Sequence, residues 1–367
     1  MKGIYIASIT ENRTRDVGVL NKIRGQLKGF KNAKVDMDFI YMKDNYICWN
    51  DKLLKNIKKN NSLVFFYGVC KILKSTKEKF DFVYIRYSVA NIFLFKLCKI
   101  FHKRNIKVIV EIATYPYEKE LNVYNSVVRY LMLKTDRYIT KNLSKYVSNI
   151  VTFTENKSIY NIDTINIQNG IDLEKIKFTG FSKGEELNII AVANVTFAHG
   201  YDRLIKGLSN YYKNGYKRKV SFHIVGDGAE VESLKNLVND LGLSDIVIFY
   251  GAKYEPQLTD IYKKCQIGVT ALGMYRKDVQ QCSILKSREY AARGIPFISG
   301  YDDIPFMDSK YVLRVSNNDE DIDVIKVLEF YDSCNISDTQ IRLDSERLGW
   351  NEQIIELMRQ INNKYYN

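Results

Sequence analysis

One pattern, stated twice, constrains this chain more than anything else in it: short apolar runs alternate with longer amphipathic stretches over residues 3–168 and again over 187–315. Apolar runs of that length suit strands buried on both faces, and the stretches between them suit crossover helices, so each half predicts βαβ units around a parallel sheet. The first half predicts strands at 3–8, 34–41, 82–87, 106–112, 149–154 and 165–168, with helices at 17–30, 62–75, 89–103 and 121–146. The second predicts strands at 187–193, 219–225, 245–250, 266–271, 295–299 and 311–315, with helices at 201–214, 229–241, 256–264 and 284–293. Gly, Ser and charge interrupt the pattern at 174–186, which reads as a linker. The division is therefore 1–173, the linker 174–186, a second domain 187–345, and a C-terminal segment 346–367 read as a helix packing back on the first domain. The expected fold is α/β, two Rossmann-like domains in tandem with a ligand-binding cleft between them, since doubly wound sheets bind ligands beyond the carboxyl ends of their strands.

Composition removes several function classes. With 46% apolar residues and four Pro in 367, the chain is neither disordered nor fibrous. Its longest stretch without an acidic or basic residue, Leu187 to Tyr201, falls short of the ~20 apolar residues that cross a bilayer. Met1 leads straight into strand-like sequence, so a cytoplasmic protein is expected. Six cysteines without close pairs and three histidines without a cluster predict buried thiols and no metal site; Asp36-Met37-Asp38 imitates a metal motif but lies inside a predicted strand. Charge is divided unevenly. Residues 1–180 carry 32 Lys and Arg against 16 Asp and Glu, and the rest 23 against 26. The basic half is expected to face an anionic membrane surface, through amphipathic stretches at 62–79, 89–104 and 121–146, rather than nucleic acid, for which no motif is present.

Chemistry concentrates in the second half. His223-Ile224-Val225-Gly226-Asp227-Gly228 ends a strand in a glycine turn before a helix, a common route to phosphate or ribose, though a tight turn explains it equally well. Further on, Lys286-Ser287-Arg288-Glu289-Tyr290-Ala291-Ala292-Arg293-Gly294-Ile295-Pro296-Phe297 runs from helix to strand. Over residues 187–300 this order and spacing resembles the donor-binding half of the GT-B, group 1 family of retaining, nucleotide-sugar-dependent glycosyltransferases. Gln168-Asn169-Gly170-Ile171-Asp172 and Gly349-Trp350-Asn351-Glu352 extend the likeness to the family's interdomain strand end and C-terminal crossover helix.

The resemblance implies a sugar transferase acting on a lipid-linked or saccharide acceptor, in bacterial surface-polysaccharide assembly, at the inner face of the membrane. It implies no cofactor beyond the co-substrate, with a UDP-sugar preferred to a GDP-sugar. Glu289 would hold the donor ribose, sharing a helix face with Lys286. Gln281 stands where the family has a second glutamate near the transferred sugar, so no general base can act there. Cys282 and Ser283 would present backbone N–H groups to the diphosphate. Asn194 and His199 occupy the places of the family's phosphate-binding Arg and Lys, leaving His199, Lys286 and Arg203 as candidates for the missing charge. Asp202 reads as a helix N-cap. Tyr254 is a candidate for stacking on the base, and Gly18 resembles the glycine loop of the first domain. Glu111 ends a strand near the reaction, while Thr114, Tyr115, Tyr117 and Glu118, with Lys119 and Glu120 beyond them, form a carboxylate and tyrosine cluster for the acceptor. An epimerase of the same fold and a non-catalytic binding protein are the alternatives.

Overall fold

The structure is a computed structural model that describes residues 1–365 except 12, 14, 15, 88, 90 and 119–124. It divides into two compact units, Met1–Gly170 with Trp350–Asn367, and Ile171–Gly349.

The first unit holds β1 (Lys2–Thr10), α1 (Val17–Asn32), β2 (Asp36–Lys43), β3 (Tyr46–Trp49), β4 (Lys52–Asn56), α2 (Ser62–Ser75), β5 (Phe82–Arg86), α3 (Ile92–Lys103) and β6 (Lys107–Ile112). These are followed by α4 (Ser126–Thr140), β7 (Asn149–Thr152), β8 (Ser158–Ile159) and β9 (Ile162–Asn166). Among the described residues the sheet runs β4-β3-β2-β1-β5-β6-β7-β9-β8. The strands from β2 to β9 in that order pair in parallel, while β3 and β4 extend one edge and β8 the other by antiparallel pairing. The alternation of β1 explains the two cores: Ile4 and Ile6 face α2, α3 and α4, and Tyr5 and Ala7 face the opposite side. That opposite side is covered by α1 and by α11 (Trp350–Tyr365), whose Trp350 lies so close to Gly25 that a Cβ there would come within 2.3 Å of its ring. Asparagine side chains cap three helices here, Asn61 on α2, Asn91 on α3 and Asn125 on α4, each satisfying first-turn N–H groups.

The second unit holds β10 (Leu187–Val192), α5 (Tyr201–Lys213), β11 (Val220–Val225), α6 (Val231–Asp240), β12 (Val247–Gly251), α7 (Gln257–Tyr262) and β13 (Ile267–Val269). It continues through α8 (Leu285–Arg293), β14 (Phe297–Ser299), β15 (Val312–Arg314), α9 (Val324–Ser333) and α10 (Asp338–Glu346). Its sheet runs β12-β11-β10-β13-β14-β15, parallel throughout. Chain order reverses between β10 and β13, and the loops leaving neighbouring strands at such a switch point diverge and make room for a ligand.

The fold is thus α/β with two Rossmann-like units, and three local differences from the sequence reading have physical causes. The β3–β4 hairpin escaped notice because Lys52–Asn56, exposed along most of its length, lacks an apolar run. The tail, where the sequence predicts helices near 319–331 and 345–363, makes three, α9, α10 and α11, because Ser337 caps a separate helix and the chain breaks again at Leu348-Gly349. The stretch 174–186 does not run loose: Thr179 and Gly180 donate to the Arg293 carbonyl and Gly184 to the Tyr331 hydroxyl, so it belongs to the second unit. Among the described residues no helix is long and apolar enough to cross a membrane.

Candidate functional site

The switch point of the second sheet gathers the polar groups. After β10 the chain makes a single tight turn, Phe197–His199, and Gly200 enters α5 at φ 61°, packed so closely on Gly273 that a Cβ would come within 2.6 Å of its backbone nitrogen. Gly200, not Asp202, therefore caps α5; Asp202 sits in the first turn and takes a bidentate pair from Arg276 at 2.8 and 2.9 Å. The loop after β13 is tied to this turn, Leu272 donating to the His199 carbonyl at 2.8 Å.

His199 is half-buried, and its tautomer is dictated by its neighbours. The Thr196 backbone N–H can only donate, and it points at Nδ1 from 2.9 Å. Nδ1 must therefore offer its lone pair, which leaves the neutral ring its proton on Nε2. Lys286 Nζ stands 2.9 Å from that Nε2. An ammonium and an N–H are both donors, so this pair lacks an acceptor between them. Burial, reinforced by Lys286 and Lys277, lowers the His199 pKa to about 3 and keeps the ring neutral; burial also lowers Lys286, against the opposing pull of Glu289.

Glu289 lies one turn beyond Lys286 on α8. It is half-buried, and its carboxylate has no hydrogen-bond or ion-pair partner among the described residues. Burial raises its pKa, Lys286 and Arg293 opposing. Its neighbour Tyr290 fixes the helix, the hydroxyl donating to Val269 O at 2.9 Å on β13 and accepting from Val192 N at 3.3 Å on β10, so that both switch-point strands hold it. The loop before α8 is held by a buried clamp. Arg288 forks onto Asp303, Ser287 donates to the same carboxylate at 2.6 Å, and Arg288 reaches Ser283 Oγ at 2.8 Å and Ile284 O at 3.0 Å. Cys282 N donates to Asp302 O at 3.0 Å, which leaves Gln281 exposed at the loop surface. Burial pushes the Cys282 thiol up, so it is not a nucleophile.

Several sequence expectations are corrected. Arg203 is fully buried and spends its guanidinium on the carbonyls of Leu272, Ser316 and Glu320, so it pins loops and is no phosphate ligand. Gly226 is glycine because the turn presses on the loop after β10: at φ 126° a Cβ would come within 1.8 Å of Ala193 O, whatever binds nearby. Asn194 and Tyr254 are exposed, Tyr254 by 79%. In the first unit Glu111 is fully buried. Arg86, its register partner on β5, and Lys22 at 3.6 Å take Oε1, while Gln26 at 2.6 Å and Tyr84 at 2.7 Å donate to Oε2. Burial alone would raise its pKa, but Lys22, Arg86 and these donors outweigh it and hold the carboxylate ionised. A strand-end acid has become a paired core charge, engaged on both oxygens by the protein's own groups. Tyr117 is likewise buried, sharing Asp136 with Tyr87 and meeting Tyr160 at 2.6 Å. Thr114 is exposed, Tyr115 half-buried edge-on to Tyr160, and Glu118 3.7 Å from Arg137; Lys119 and Glu120 lie outside the described residues. Gly18 opens α1 with nothing among the described residues within 4 Å of a Cβ. Sequence reasoning missed Thr196, whose spacing from His199 is that of a capping box, and Lys277; it also missed Asp303, whose pairing with Arg288 leaves no local signal.

Residues 172–274 match the family model described as Glycosyl transferases group 1. The solved structures similar to this chain include sucrose-phosphate synthase (tll1590) from Thermosynechococcus elongatus, 14% identical with a TM-score of 0.66, covering 100% of this chain and 99% of that one. The apo lipopolysaccharide outer core galactosyltransferase WaaB is 16% identical with a TM-score of 0.65, over 99% and 100% of the two chains. Anabaena Alr3699/HepE in complex with UDP is 11% identical with a TM-score of 0.63, over 100% of each. A search of the curated proteins found no match.

Proposed function

We propose that this chain, a GT-B fold whose residues 172–274 match the group 1 glycosyltransferases, moves a sugar from a UDP-sugar to a saccharide or lipid-linked acceptor with retention of configuration. The observation that carries the reading is the incompleteness of the second unit's switch point: a partnerless Glu289 carboxylate one helical turn from two opposed donors, Lys286 and His199. A nucleoside diphosphate completes both. Ribose hydroxyls donate to Glu289, and a diphosphate oxygen accepts from Nζ and Nε2–H together, turning a donor–donor contact into two charge-assisted hydrogen bonds. UDP, rather than GDP, is favoured by the UDP complexes of HepE.

Departure of UDP leaves negative charge on the diphosphate. Lys286 and Lys277 supply compensating cations, and His199 donates without changing charge. A diphosphate oxygen takes the acceptor's proton, so the uncharged Gln281 suffices beside the sugar. Thr114 and Tyr115 of the first unit contact the acceptor, and Gly18 leaves space for close approach to the first turn of α1. The basic first unit holds the enzyme at the anionic inner face of the cell membrane, where acceptors for surface polysaccharide are assembled. Calorimetric titration with UDP, GDP and their sugars, followed by a transfer assay with and without acceptor, tests the reading. Binding of UDP with donor turnover that requires acceptor is expected; turnover of the donor alone would favour epimerisation, and no nucleotide binding would end the proposal.

A further inference from the structure

The first unit carries a helix whose outer face is wrong for water. Helix α4 turns Asp136, Ile139 and Thr140 inward, where Asp136 accepts from Tyr87 and Tyr117 and so fastens the helix to the sheet's covering layer. The opposite face of a surface helix is ordinarily polar. Here Val127, Tyr130, Leu131 and Tyr138 fall on it at helical spacing, exposed by 67, 63, 56 and 75%. Lys134, Arg137 and Lys141 are interleaved on the same stripe, which holds no acidic residue of α4. Together with Tyr130 and Tyr138 they line a surface groove of about 360 Å³. Glu118, itself exposed, stands 3.7 Å from Arg137.

Taking the membrane attachment proposed above as its premise, we infer that α4 is the element that docks: Val127 and Leu131 enter an anionic phospholipid leaflet, the two tyrosines lie at headgroup level, and the three cations engage lipid phosphates. Charge complementarity with interleaved aliphatic and aromatic groups decides the occupant. Lysine is depleted at protein interfaces, whereas lysine, tyrosine and aliphatic side chains together are the composition of helices lying in a bilayer surface. Nucleic acid offers nothing to the aliphatic pair.

The test is co-sedimentation of the full chain with vesicles of phosphatidylglycerol and phosphatidylcholine, against vesicles of phosphatidylcholine alone. Wild type is expected to bind the anionic vesicles and to lose them as salt rises. A charge variant, Lys134→Gln with Arg137→Gln and Lys141→Gln, should bind about a hundredfold more weakly, and an apolar variant, Val127→Ser with Leu131→Ser, should also lose binding. All five positions are surface positions, so UDP affinity and the thermal midpoint should not change in either. If wild type binds while both variants bind equally well, the assignment to α4 falls and membrane attachment stands. If wild type binds no vesicle, both fall, with UDP titration still reporting separately on the transferase reading. Dimerisation abolished by the apolar variant, without vesicle binding, would assign the stripe to a second copy of the chain.

Discussion

Two buried or half-buried carboxylates, one in each unit, meet opposite fates. Glu111 in the first sheet accepts from Arg86, Gln26 and Tyr84, pairs with Lys22, and stays ionised at full burial. Glu289 in the second unit has no partner among the described residues, and its neighbours Lys286 and His199 confront one another as donors. Folding satisfies buried polar groups wherever the chain can do so itself. On the proposed reading, the groups missing from a cluster left unfinished at a switch point come from the nucleotide.

The largest test of this contrast is Glu111→Ala. Removing one member of a buried ion cluster leaves Arg86 and Lys22 uncompensated and should destabilise the protein by about 3–5 kcal/mol in urea unfolding. A loss under about 1 kcal/mol would make the two carboxylates alike. Glu289→Ala should do the reverse, leaving the unfolding midpoint near wild type while donor affinity falls about 10- to 100-fold, the worth of a charge-assisted hydrogen bond. Lys286→Met sharpens the point by opposing signs: UDP binding should weaken about tenfold while stability rises by about 0.5–1 kcal/mol, because the donor–donor contact is gone.

Three smaller effects follow. Burial lowers Lys286 below its ordinary value, and a diphosphate raises it again, so UDP binding takes up protons and affinity should fall as pH rises through the depressed lysine pKa. Calorimetry in buffers of differing ionisation enthalpy reads this directly. His199 contributes on the acid side. Its pKa of about 3 lies below the unfolded value of about 6.5, so the unfolded chain takes the proton first and stability declines as pH falls from the higher value towards the lower; His199→Asn should flatten that slope in pH-dependent urea unfolding. Gly18→Ala should change stability least, by under about 0.5 kcal/mol, since its Cβ meets no atom of the described residues within 4 Å; a loss of UDP affinity in that variant reports ligand approach.

Both sheets were legible in the chain because parallel strands buried on two faces write themselves as apolar runs, and the capped amphipathic stretches between them write themselves as helices. That Glu289 and Lys286 share one helix was legible too, because a spacing of three is local. The roles of Glu111, Arg203 and Gly226 were not. Whether an acid at a strand end is a reagent or a core ion depends on what stands beside it in register, and Arg86 lies 25 positions away from Glu111 in the chain. Gly226 packs on Ala193 across a loop that no local pattern announces.

Sequence by itself determined the elements, their alternation and the types of charge available, because these depend on hydrophobic period and on neighbours three or four residues apart. Tertiary structure alone decided which charges are spent and which remain, because a hydrogen bond is settled by distances of about 3 Å between side chains that the chain order keeps far apart.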